Sequence, residues 1–369
     1  MRMSALPALA LTCLVLGGAA PSAPVAAATD PGGITVYVNP ADSVRKDARA
    51  QDGRAPERPA ASFAAVQRLL AGMGATEARV LIHGGTYHPR EEVNWTYSPP
   101  GGHITFAPEP GTGPVVFDGS RLKPSRLSTA ARQRLVNDPA AVAAAPGYFM
   151  TITSAGSGIT ISGETIQNYV NGGIRIRGAA GDRVTDVTVS GNTFQHLGNK
   201  YVSGGTGYGG VHITNSSHTV IENNRFYNLE NTTSPGNIHG VYLADYTNDS
   251  TIRGNRFGYV SGDPVRTRHN SKDNLVDGNK FWHTGTYAIF SDWRFDGEDC
   301  GRGNVFKNNQ VGTVSYYGKK FSSGTQGQVS PIKVWLWGHD DPKNANLGGC
   351  TPDPITSGGG NAYVTTRPW

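Results

Sequence analysis

The clearest regularity in the chain is a six-residue pattern, apolar at its first and last positions, that recurs through the second half. The copies are ISGETI (161–166), VSGNTF (189–194), IENNRF (221–226), IRGNRF (252–257), VDGNKF (276–281) and FKNNQV (306–311). They start 28, 32, 31, 24 and 30 residues apart, and the fourth position is Asn in five of the six. A period in this range with variable insertions marks a solenoid whose coils carry loops of differing length. Between the copies lie runs with strand alternation: IRIR (174–177), VHIT (211–214), VYLA (241–244), VRTR (265–268), AIFS (288–291) and IKVW (332–335). Their first and third residues should point inward and their second and fourth outward, because successive side chains on a strand face opposite sides. The pattern therefore predicts stacked parallel strands, each coil bonded to its neighbours about 4.8 Å away. The recurring Asn, next to Gly or Asn, predicts a turn with left-handed backbone and a ladder of stacked amides.

The fold class these periods predict is all-β: a right-handed parallel β-helix with an N-terminal capping helix. ITVYV (34–38) reads as a first strand. Ser62 precedes an amphipathic stretch, 63–70, followed by Gly72 and Gly74, which predicts a helix with an N-cap. Such a helix would cover the open end of the stack. Strand-like runs follow at 80–82, 84–87, 104–106 and 115–117. A polar, Ala-rich excursion at 122–147 then precedes the return of regular coils at Phe149. No shift in composition marks a boundary, so residues 29–369 are expected to form one domain.

Composition fits this reading. With 49 Gly among 369 residues and 17% charged residues, the chain suits short strands joined by tight turns rather than a helical bundle. Arg2, the apolar run 6–16 and the small residues Ala26, Ala27 and Ala28 form the pattern of a secretory signal peptide, residues 1–28. No later run approaches the roughly 18 apolar residues of a membrane-spanning helix. The expectation is a secreted, extracellular protein with no membrane partner. Beyond the leader two cysteines remain, Cys300 and Cys350, and an oxidising compartment predicts a disulfide between them. The net charge of +5 is modest and predicts no nucleic-acid partner, so placement of the cations matters more than their sum. The sequence holds no P-loop, serine-nucleophile elbow or zinc-like Cys/His spacing.

Aligning the second motif coil by coil gives two outward columns. One reads Arg175, His212, Tyr242, Arg266, Ile289, Lys333; the other reads Arg177, Thr214, Ala244, Arg268, Ser291, Trp335. His239 precedes the Tyr242 strand and His269 follows Arg268. Stacked like charges repel unless something compensates them. Either an anionic substrate or loop aspartates (Asp245, Asp263 and Asp292 are near in sequence) would do so. Trp293 and Trp335 offer faces for sugar stacking, with packing against the C-terminal loops as the alternative; Trp337 shares their outward parity if its strand continues. This chemistry suits β-elimination on a uronate polysaccharide. A cation neutralises the carboxylate, a base removes the C5 proton, and an acid protonates the departing glycosidic oxygen.

The opening TVYVNP, the helix SFAAVQRLLAGM, the segment ARVLIHGGTY and the GN-x-F coils together resemble the secreted pectate-lyase-like superfamily of parallel β-helix proteins over nearly the whole mature chain. Within it, VRTRHNS (265–271) resembles the arginine-histidine strand of the chondroitinase B and alginate lyase family. That likeness implies an assisting role in elimination for Arg268. The family uses a lysine base one coil earlier, beside an acidic calcium site; the matching position here is Ala244, with Tyr242 two residues before it, and no acidic calcium triad stands out.

The sequence thus predicts a polysaccharide lyase acting on an acidic polysaccharide, as a monomer. Arg266 and Arg268 are the expected charge neutralisers, and Tyr242 and His212 the candidates for proton transfer. Arg175, Arg177, His239, His269, Lys333 and Trp293 are the expected substrate contacts. No cofactor is required by this reading and calcium is left open. The alternatives are a glycoside hydrolase using Asp245, Asp263 or Asp292, a uronate C5-epimerase, and a non-catalytic glycan-binding protein. Solvated loop positions are the expected setting of those three aspartates.

Overall fold

The computed structural model describes residues 33–40, 51–122, 147–153, 158–205, 207–286, 288–293, 298–318 and 355–369. Among these, three long sheets of ten, seven and nine strands carry the fold, and every strand pair in them is parallel. Each regular coil gives one strand to each sheet. The coil of residues 220–244, for example, contributes Val220–Glu222, Arg225–Leu229 and His239–Ala244 in turn. Strands one repeat apart pair with one another, so the chain climbs as a parallel β-helix.

The six-residue motif forms the corner between the ten- and nine-stranded sheets. Its third residue takes left-handed backbone in all six copies, at Gly163, Gly191, Asn223, Gly254, Gly278 and Asn308. Gly and Asn tolerate that conformation best, which explains their alternation at this position. The fourth residue turns inward. Asn192, Asn224, Asn255, Asn279 and Asn309 each pass an amide bond to the next, the last of them to Asn361, at 3.0–3.3 Å. The first five each donate a second bond to a backbone carbonyl of the preceding coil, such as Asn255 to Ile221 at 2.8 Å. These buried amides keep both donors satisfied, which makes the ladder a gain rather than a desolvation cost. The sixth residue stacks beside it: Phe194, Phe226, Phe257 and Phe281 lie 4.8–4.9 Å apart, nearly parallel.

The helix spans Phe63–Met73, with Ser62 Oγ accepting from the Ala65 N–H at 3.2 Å and Gly74 closing it at φ 61°. It runs three residues past Leu70, the end its sequence pattern predicts, and stops where Gly74 takes left-handed backbone and its N–H caps the Ala71 and Leu70 carbonyls. Phe63 packs against Phe106, Phe117 and Phe149, so the helix plugs the first end of the apolar core. Most of the Ala-rich excursion (123–146), the leader, Lys333, Trp335, Trp337 and Cys350 lie outside the described residues. So, with Cys350, does the expected pairing of Cys300. No described helix is long and apolar enough to cross a membrane.

Candidate functional site

The seven-stranded sheet holds the expected basic and aromatic columns. Its backbone pairing aligns Thr151, Arg175, His212, Tyr242, Arg266 and Ser291 on successive rungs. The second column aligns Arg177, Thr214 and Ala244, and Arg268 beside Trp293. One rung corrects the sequence reading. Ser291 rather than Ile289 stands beside Arg266, and Trp293 rather than Ser291 beside Arg268, while Ile289 is buried in the core. A slip of two residues preserves the alternation of faces, so the sequence pattern alone does not expose it.

A second correction concerns exposure. The outward side chains of the first column are buried, with Arg175, His212, Tyr242 and Arg266 all 9% exposed or less. Residues outside the repeat surround them. Tyr148, which enters the strand Met150–Ile152, puts its hydroxyl 2.8 Å from His212 Nδ1. Tyr208, just ahead of Gly209–Thr214, stacks on the same imidazole at 4.9 Å, and Tyr242 stacks on it at 5.1 Å. Burial, and then the positive fields of Arg175 and Arg268, press His212 down to about 3, so the ring is neutral at ordinary pH. Burial pushes the Tyr148 phenol up.

The cations are compensated by carboxylates, two of which the sequence reading missed. Arg175 bonds Glu92 at 3.2 Å and Thr151 at 3.0 Å, and its guanidinium lies over the Tyr148 ring. Arg268 grips Glu298 through Nε, at 2.8 and 2.9 Å, and through Nη2; its Nη1 reaches the Tyr242 hydroxyl at 3.4 Å. Burial works against that guanidinium, but the bonds to Glu298 and Tyr242 outweigh it and hold the charge firmly. Arg266 pairs with Asp263 at 3.0 Å and stacks on Trp293 at 3.9 Å, while its buried Nε finds no partner. Arg177 lies at the edge of this group, its charge disfavoured by burial and by neighbouring Arg175. Glu92 and Glu298 sit in irregular segments with no periodic signal. A tyrosine directly ahead of a strand, in PGYFMTI and TGYGGVHI, is the one sequence cue that could have pointed to Tyr148 and Tyr208.

The remaining expected residues divide. His239 is buried, donates from Nδ1 to the Asp263 carbonyl at 2.7 Å, and is held neutral by that burial and by Arg266; its ring lies 5.1 Å from that of Tyr242. Trp293 has one face taken by Arg266 and its Nε1–H bonded to Ser291 at 3.1 Å. Two of the three aspartates are not solvated loop groups. Asp263 accepts from the Ala288 N–H, Ser291 Oγ and Arg266, and Asp292 is buried beside Thr267. Neither is placed to activate a water.

Asp245 pairs with His269 at 3.1 Å, and with Glu298 these form a carboxylate-imidazole-carboxylate cluster within 4.8 Å. Calcium takes six to eight oxygen ligands. One imidazole and two carboxylates, one of them gripped by Arg268, do not suit it, and no step is assigned to a metal here.

The family comparison agrees with this architecture. Residues 181–332 match the family model for the right handed beta helix region, so the chain is a right-handed parallel β-helix, as its periods predict. Among solved structures it is similar to pectate lyase Pel9A. The likeness covers 79% of this chain and 73% of that one, at 15% identity and a TM-score of 0.42. No curated protein matches.

Proposed function

We propose that the chain is an exported polysaccharide lyase that cleaves a uronate-containing glycan by β-elimination at the strip formed by His212, Tyr242 and Arg268. One observation carries the reading: a buried imidazole, which that burial holds neutral, stacks on a phenol whose hydroxyl faces the Arg268 guanidinium.

Elimination needs a base that is unprotonated at rest and an acid next to it. In the tautomer whose Nδ1–H donates to the Tyr148 oxygen, the Nε2 lone pair of His212 is the base. It takes the C5 proton, the C4–C5 double bond forms as the C4–O bond breaks, and Tyr242 passes its proton to the departing oxygen. Arg268 then faces the phenolate, and its charge offsets the one that develops there. A bound uronate carboxylate near Arg268 also cancels part of the field that depresses His212, so substrate itself strengthens the base. Arg177, less buried than Arg175, would hold a sugar on the preceding coil, while Arg175 stays engaged by Glu92 and Thr151. The hydroxyl–guanidinium distance of 3.4 Å is long for a resting hydrogen bond, in keeping with catalytic contacts that tighten only around substrate.

The test is ultraviolet absorbance of unsaturated uronate ends after incubation with polygalacturonate, alginate, glucuronan and glycosaminoglycans, with and without chelator. Absorbance rising on at least one of them supports the proposal. New reducing ends without absorbance, or no product from any, would overturn it.

A further inference from the structure

A second cationic column lies on the outer face of the nine-stranded sheet, away from the strip described above. Backbone pairing places Arg225, Arg256 and Lys280 on three successive rungs, at the outward position just before the stacked phenylalanines. Like charges one rung apart on parallel strands repel. The same molecule shows how it relieves that repulsion elsewhere. On the ten-stranded sheet the outward column reads Glu222, Arg253, Asp277, Lys307, alternating in sign, with Arg253 on Glu222 at 2.6 Å and Lys307 on Asp277 at 3.7 Å. On the seven-stranded sheet Glu92, Asp263 and Glu298 pair with Arg175, Arg266 and Arg268.

The Arg225 column shows no such relief among the described residues. Among the described residues no ion pair joins Arg225, Arg256 or Lys280 to a carboxylate; Lys280 bonds only the Pro368 carbonyl, at 2.9 Å. The acidic groups at the adjoining corner, Glu222 and Asp277, are engaged by Arg253 and Lys307. A fourth cation, Arg367, lies over the rings of Tyr227 and Trp369 beside the column. Next to Lys280 the Trp282 ring lies over Gly312, where a Cβ would come within 2.8 Å of it, so the glycine leaves room for the indole.

We propose that this face is a secondary binding surface for an extended anionic polysaccharide. Arg225, Arg256 and Lys280 would pair with carboxylates of successive sugars, and Trp282 would stack on a sugar ring. The rungs repeat about every 4.8 Å, close to the advance of one hexose along an extended chain. The choice of a glycan over other polyanions rests on the lyase reading; the column of like charge does not. The surface would hold polymer that the strip cleaves, and so should matter for long chains and not for short ones.

The test compares the full chain with the variant Arg225→Gln/Arg256→Gln by affinity electrophoresis in polygalacturonate and in alginate. The same pair of substitutions is also placed in a Tyr242→Phe background so that cleavage does not distort retention. Retention should weaken on the order of tenfold for two charges removed, with neutral dextran retarding neither protein and turnover of short oligouronates unchanged. Unaltered retention would overturn the proposal, as would double-stranded DNA holding the protein as tightly as polyuronate. If the variant loses retention while the parent yields no unsaturated product, the lyase reading fails and this surface stands.

Discussion

Glu164 occupies the ladder position that Asn fills in the later copies, and it makes the fold sensitive to alkali. Its backbone N–H donates to Asn192 Oδ1 at 3.0 Å, but both carboxyl oxygens are buried without a partner. Burial pushes its pKa from 4.5 up to about 8. A raised acid binds its proton more tightly in the folded state. The stability it allows is therefore fully present below pH 4.5 and is lost as pH rises through about 8. At roughly 1.4 kcal/mol per pH unit, the loss is about 3 kcal/mol by pH 7 and on the order of 5 kcal/mol above pH 8. Glu164→Gln keeps the shape and removes the ionisation. Urea unfolding followed by circular dichroism should show the variant equal to the parent at pH 4 and about 3 kcal/mol more stable at pH 7. Glu164→Asn should also gain, because its amide can join the ladder at Asn192. A stability difference that does not change between pH 4 and pH 9 would refute this reasoning.

Further outcomes follow from contacts elsewhere in the stack and at the site. Asp263→Asn strips the charge that pairs with buried Arg266, and thermal unfolding should register a loss of about 3–5 kcal/mol; a neutral result would mean that Arg266 finds another carboxylate. In mid-stack, Asn255→Ala leaves the Asn224 amide and the Ile221 carbonyl short of a partner, at about 1–3 kcal/mol each. Phe257→Ala opens the aromatic stack at about 3–5 kcal/mol, and urea unfolding of both variants checks the pair. The His212 ring proton should show no titration by NMR between pH 4 and 8; a midpoint near 6.5 would contradict its burial. Because the unfolded ring protonates below about 6.5 while the folded ring does not until about 3, acidification across that window should cost stability, opposite in sign to Glu164.

The scaffold was legible in the sequence because each coil repeats the same physical problem. An inward apolar residue, a left-handed corner and a buried amide recur at nearly fixed spacing, and the structure places Asn192 to Asn309 and Phe194 to Phe281 as the period implies. The site was legible only in part. Arg175, His212, Tyr242 and Arg266 lie on strands and inherit the register, whereas Glu92, Tyr148, Tyr208 and Glu298 come from irregular segments where no period exists to be read. Their carboxylates change the electrostatics: an apparently unopposed basic column is in fact paired. The slip at Ser291 and Trp293 has a different origin, since AIFS and FSDW satisfy the same alternation and only backbone pairing separates them. Among the described residues the column without ion pairs lies instead on another sheet, within the ladder motif itself, where Arg225, Arg256 and Lys280 follow the structural Asn and are easily read as mere spacers.

The central claim is that a phenol and a neutral imidazole on adjacent rungs carry out elimination. It is tested most directly by the initial rate of unsaturated-uronate formation for Tyr242→Phe beside the parent, on whichever acidic glycan the parent cleaves. Loss of a positioned proton donor should lower kcat by about 10²–10⁴-fold with KM little changed and the fold intact by circular dichroism. Equal rates from the two proteins would contradict the account.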